Sequence, residues 1–194
     1  DLDGVGSVTL EYCIVSAGSY VPAKLPHPVP NIPVNSPQLE NPKYEEGWVS
    51  VLMNDKGEGG DLQARDDVYS VTLPVNKHRT LVRYRIIVED VVGKRARAPF
   101  SDDPSLNFAY FTYNGIPSYE GEGASALESL PVYHLLTRQN DYADCFAYNG
   151  SKQISQGTQA RFYYNWHGTM FYDGIVYDNI RYRLRGANGR YHNR

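Results

Sequence analysis

The scarcities bound the chain first. Only two cysteines, Cys13 and Cys145, occur among 194 residues, far apart and in no Cys-x-x-Cys pattern. A zinc site would need more ligands at closer spacing, so zinc is set aside. The two thiols either stay free or meet in one long-range disulfide, and the sequence leaves both open. No apolar run approaches about 18 residues, so no helical membrane span is expected. Basic excess is also missing. The formal net charge of -3 argues against a nucleic-acid binder that works by bulk electrostatics. No Gly-x-Ser-x-Gly elbow occurs, and the five histidines are scattered, never two on one helical face. Gly186-Ala187-Asn188-Gly189 lacks the third glycine and the following helix of a phosphate loop. The chain opens Asp1-Leu2-Asp3 with neither an initiator methionine nor a signal peptide, which reads as a processed or excised piece.

What is abundant is tyrosine: 17 in all, 12 of them after residue 100. Tyrosine favours strands and half-buried surfaces with one wet end, and the expectation is a β-rich, exported protein. Strands are expected at Val8–Val15, Gly47–Met53, Val68–Leu73, Leu81–Val88, Phe108–Tyr113 and Leu130–Leu136. In Leu81–Val88, Arg83 and Arg85 alternate with Val82, Tyr84 and Ile86, the pattern of a sheet with one wet face. Seven of the 12 prolines fall between Pro22 and Pro42, which predicts a long extended loop. Thr137 is placed to cap a short helix over Arg138–Tyr148, with Tyr142, Cys145 and Phe146 on one face. Thr169–Tyr177 reads as a hairpin around Asp173-Gly174, a type I′ signal, and Ile180–Arg185 as a further strand.

Charge changes along the chain: residues 1–120 carry a net of -5 and residues 121–194 a net of +2. Together these patterns give a mostly β protein, an immunoglobulin-like antiparallel β-sandwich followed by a small, incomplete α+β segment. The expected boundaries are 1–118 for the sandwich, 119–129 for a linker and 130–194 for the second part.

Two segments carry candidate chemistry. Asp55, Asp61, Asp66 and Asp67 lie in a glycine-rich stretch able to fold around a hard cation such as calcium, although the spacing is not that of an EF-hand. The same residues equally suit a solvated turn. Arg181, Arg183 and Arg185 are candidate anion ligands, or the wet face of an amphipathic strand. Trp48, Trp166 and the tyrosines could line a sugar-binding groove, and packing of a β core explains them equally.

The run Leu130-Pro131-Val132-Tyr133-His134-Leu135-Leu136, followed by Gly168–Gly186 with its Arg183-Leu184-Arg185-Gly186 end, resembles the opening of the CotH (spore-coat-protein-H-like) domain. Upstream, Met53-Asn54-Asp55, Gly60-Asp61, Asp66–Ser70, Tyr84 and Asp90–Gly93 resemble an immunoglobulin- or fibronectin-like module that often precedes such domains in large exported bacterial proteins. CotH domains are regarded as atypical, kinase-like phosphoryl transferases. The resemblance covers only the beginning of that domain, so no catalytic residue is carried over. It implies a non-catalytic fragment of an exported or cell-surface protein, whose partner is the remainder of a longer polypeptide. The other reading is an assembly subunit whose open sheet edge along Ile180–Arg185 pairs with a neighbouring chain.

Overall fold

The computed structural model describes residues 4–16, 18–26, 37–113, 130–147 and 166–182. The protein is mostly β, with antiparallel sheets and, among the described residues, one α-helix. None of the described helices is long and apolar enough to cross a membrane.

The chain divides into two compact units, and the division is not the contiguous one expected near residue 118. One unit comprises Asp1–Val15 and Gly47–Asn114, the other Ser16–Glu46 and Gly115–Arg194. The proline-rich segment therefore belongs with the C-terminal strands. Its polar groups find partners there, as set out below.

The first unit is built on two long strands, β1 (Val5–Val15) and β3 (Thr80–Asp90), paired antiparallel from Val15↔Leu81 to Val5↔Asp90. β2 (Val49–Leu52) adds to β1, while β4 (Arg95–Ala98) and β5 (Phe108–Thr112) add to opposite ends of β3. Alternation in β1 and β3 sends Leu10, Tyr12 and Val82 to one face, where Val51, Met53, Val71 and Leu73 pack on them. Each such side chain, once buried, contributes about 2 kcal/mol. The β3–β4 turn at Asp90–Lys94 is closed by the Asp90 carboxylate, which accepts from the amides of Val92 and Lys94.

Two expectations fail in this unit. Residues 68–73 are extended but make only the isolated bridge Asn54↔Ser70, so they form no regular strand. The face holding Arg83 and Arg85 is not wet, since the two side chains are only 2% and 4% exposed. The Arg85 guanidinium lies 3.8 Å from the centre of the Trp48 ring, and the register sets Glu11 directly across from Arg85. A stacked ring lets an arginine be buried that alternation alone would leave in water.

The second unit centres on a three-stranded sheet, β6 (His134–Thr137), β7 (Trp166–Tyr172) and β8 (Ile175–Tyr182), in that order. The expected hairpin is present. Asp173 (φ 49°) and Gly174 (φ 78°) both take the left-handed conformation that a type I′ turn needs. β8 continues without a break through the segment expected as a separate strand, as far as Tyr182.

The helix α1 (Gln139–Ala147) follows β6 directly. Among its described side chains Asp141 and Cys145 are buried, one turn apart, whereas Tyr142 is 42% exposed, and the Phe146 side chain lies outside the described residues. Tyr142 was expected on the inner face. Asp141 takes that place because the Arg138 guanidinium grips its carboxylate through two bonds, of 2.7 and 2.8 Å. Thr137 does not cap the helix. Its hydroxyl donates to the His167 carbonyl and shares a 2.8 Å bond with Tyr182 Oη.

Candidate functional sites

In the first unit the acidic loop gathers three of its four candidate residues. Asp55, Asp61 and Asp66 each offer a carboxylate oxygen, and these lie within 4.8 Å of one another. Asp67 does not join them with its side chain and supplies an amide instead. Asp55 accepts from the backbone N–H of Asp66 through Oδ1 and of Asp67 through Oδ2, both at 3.1 Å. Buried Asp61 accepts from the Gly57 amide at 2.6 Å, and Asp66 from the Val68 amide at 3.1 Å. Arg65 and Asp67 adopt left-handed φ values of 61° and 64° to let the chain turn on itself. Converging carboxylates repel, and here each of the three accepts at least one hydrogen bond from the loop's own amides. Calcium is the cation whose oxygen-ligand chemistry these residues suit.

In the second unit the polar side chains gather on a bulge in β8. The register shifts between Gly168 and Met170, so Asp178 and Asn179 together oppose Thr169. Asn179 sits at φ 55°, a conformation asparagine tolerates better than most residues. The Thr169 hydroxyl donates to Asp178 Oδ1, which also accepts from the Asn179 amide. The Asn179 side chain then reaches the proline-rich segment. Its Oδ1 accepts from Ala23 N at 3.3 Å and Tyr20 Oη at 3.4 Å, and its Nδ2 donates to Tyr44 Oη at 3.1 Å. Tyr20, Ala23 and Tyr44 are all buried.

The same segment bonds a histidine. His167 Nε2 and Gln38 Oε1 are 2.6 Å apart, and His167 is 4% exposed. Burial, reinforced by the positive charge of Arg181 across the strand pair, lowers the imidazole pKa from 6.5 to about 4, so the ring is neutral near pH 7. Within the segment, Asn41 donates to the Pro22 carbonyl at 2.7 Å, and Lys24 pairs with Glu40. The expected extended loop is thus, in its described parts, a strap fastened by asparagine and tyrosine side chains.

Of the three candidate arginines only Arg181 is placed, half-buried and opposite His167; Arg183 and Arg185 lie outside the described residues. Trp166 is 1% exposed, with its indole N–H donating to Asp144 Oδ2 at 3.1 Å, so its ring offers no stacking face for a sugar. Burial raises the Tyr182 pKa well above the ordinary tyrosine value, and Tyr182 stays protonated beside Thr137. Cys13 and Cys145 are thiols, not a disulfide. A cleft of about 520 Å³ opens between strap residues such as Ser19 and Lys43 and the start of α1, where Arg138 is already committed to Asp141.

The sequence reading assigned Asn179 no role of its own, and offered the tyrosines only collectively, as the lining of a sugar-binding groove. The available signal was Asp178-Asn179 inside an otherwise strand-like run, because an asparagine there marks a place where a strand can bulge. Comparison of the chain with protein-family models, with curated proteins and with solved structures finds no match.

Proposed function

We propose that this chain is a non-catalytic, β-rich portion of an exported or cell-surface bacterial protein whose intact form resembles CotH-type atypical kinases. The observation that supports the reading is the second unit's sheet. Of the residues that carry the resemblance, Leu130–Leu136 and Gly168–Gly186, the described parts His134–Leu136 and Gly168–Tyr182 lie in adjacent strands, the last two of them joined by the Asp173-Gly174 turn, while Arg183–Gly186 lie outside the described residues. A resemblance spread over unrelated elements would have carried no structural meaning. The five-stranded antiparallel sheet of the first unit is compatible with an immunoglobulin- or fibronectin-like module upstream. Phosphoryl transfer requires phosphate clamps and metal ligands held together, and the resemblance does not extend to the part of the domain that supplies them.

The test is direct. The purified 194-residue chain, incubated with Mg-ATP and generic protein acceptors, is expected to transfer no phosphoryl group, whereas the longer protein would. Transfer by the chain itself would overturn the reading. Assembly through a strand edge is a second reading. It is favoured because β8 has a strand partner on one side only among the described residues.

A further inference from the structure

The sheet of the first unit and the segment that follows β2 do not close completely on one another. A groove of about 640 Å³ remains at the β1 start, with Val8, Ile86 and Val88 of the sheet on one side and Met53 and Tyr69 on the other. Val8 and Val88 are paired in register, and Ile86 is next along the same face of β3. The groove lies wholly within the first unit, whose residues 4–15 and 47–113 are described. Its size is that of a small-molecule site, in which mostly apolar walls hold a few polar groups that fix orientation.

One charged residue lines it, Asp67, and no basic one does. Asp67 differs from its neighbours in the acidic loop. The carboxylates of Asp55, Asp61 and Asp66 are each bonded to loop amides. Asp67 contributes only its backbone N–H, to Asp55, and its carboxylate has no partner among the described residues. Tyr69 lines the same groove two residues on, while Val68 between them is 57% exposed, as an extended chain requires.

We propose that this groove binds a small organic cation, an apolar body ending in one ammonium group. The valines, Ile86 and Met53 take the apolar body out of water, and the unbranched methionine can adapt to its shape. The Asp67 carboxylate supplies the counter-charge, and the Tyr69 ring an aromatic surface that a cation favours. An anionic ligand would be repelled by Asp67, and a neutral one would leave the carboxylate unpaired. The site is independent of the kinase-like reading and stands or falls without it.

The two methionines of the sequence give the test its reporters, because Met53 lines the groove and Met170 lies in the second unit. The full chain, labelled with ¹³C-methyl methionine, is titrated near neutral pH with 4-phenylbutylamine and, separately, with its uncharged counterpart 4-phenylbutanol. The amine should shift the Met53 methyl signal saturably and leave that of Met170 in place. The alcohol should bind about threefold to fivefold more weakly, the worth of one exposed ion pair. Asp67→Asn should bring the amine down to the affinity of the alcohol. That variant keeps the loop, since asparagine tolerates the φ of 64° and the amide at position 67 still donates to Asp55. The absence of a saturable Met53 shift overturns the proposal, and so do parallel shifts of both methionines, which mark unspecific association. Equal affinity for amine and alcohol overturns it as well, as does a preference for the amine that survives Asp67→Asn.

Discussion

Replacing Asn179 is expected to loosen the strap by an amount that depends on the replacement. The side chain makes three bonds to the strap, at 3.1, 3.3 and 3.4 Å. Two are long, so their summed net worth is put at about 2 kcal/mol. Alanine also has to hold the left-handed φ of 55°, a further cost of about 1 kcal/mol that glycine avoids. Asn179→Ala should therefore destabilise the second unit by about 3 kcal/mol, and Asn179→Gly by about 2 kcal/mol. The sequence holds only two tryptophans, one in each unit. In a Trp48→Phe background, the fluorescence of buried Trp166 reports urea unfolding of the second unit alone. Amide hydrogen exchange near Tyr20–Ala23 and Asn41–Tyr44 should accelerate in both variants, because these residues would lose their anchor. If alanine and glycine cost the same, the left-handed argument fails. If both cost less than about 1 kcal/mol, Asn179 is not the anchor.

Four further outcomes follow from the geometry. The folded pKa of His167, about 4, lies below the ordinary 6.5, so the unfolded chain takes up the proton first. Stability of the second unit should fall as pH drops from about 6.5 towards 4, by a total of order 3 kcal/mol, and level off below; His167→Gln should flatten that slope in urea titrations. Asp55→Ala leaves two loop amides to water and should cost the first unit about 1–2 kcal/mol, with Asp55→Asn, which keeps one acceptor oxygen, near half of that by thermal denaturation. Gly168→Ala should cost about 2–3 kcal/mol, because an added Cβ would sit 2.6 Å from the Leu136 carbonyl oxygen and only backbone movement could relieve it. Trp48→Leu should lose about 1 kcal/mol of first-unit stability through the ring over Arg85, while Trp48→Phe retains most of it; equal losses would remove the cation–π account.

What the sequence showed and what it hid divide along one physical line. Asp173-Gly174 announced its hairpin because turn chemistry is local: two adjacent residues tolerate the required φ, whatever surrounds them. The alternation of β1 and β3 was legible for the same reason, and so was the gathering of Asp55, Asp61 and Asp66 on one short loop. The errors concern groups satisfied from far along the chain. Arg83 and Arg85 read as wet because alternation names a face but not its cover, and Trp48, some 37 residues before Arg85, supplies part of that cover. The proline-rich segment read as loop because prolines forbid a ladder. Yet its two limbs still meet in the antiparallel bridge Lys24↔Glu40, where the Leu25 N–H donates to the Leu39 carbonyl and the Asn41 N–H to the Ala23 carbonyl, and the Asn179 and Asn41 side chains satisfy backbone groups beside that bridge. Asn179 lies 156 residues beyond the Ala23 amide it accepts from, a pairing no local pattern encodes. The candidate site most visible in sequence, the acidic loop, is thus the one whose geometry its own backbone explains. The polar hub that joins distant segments was visible only as an asparagine standing where a strand residue was expected.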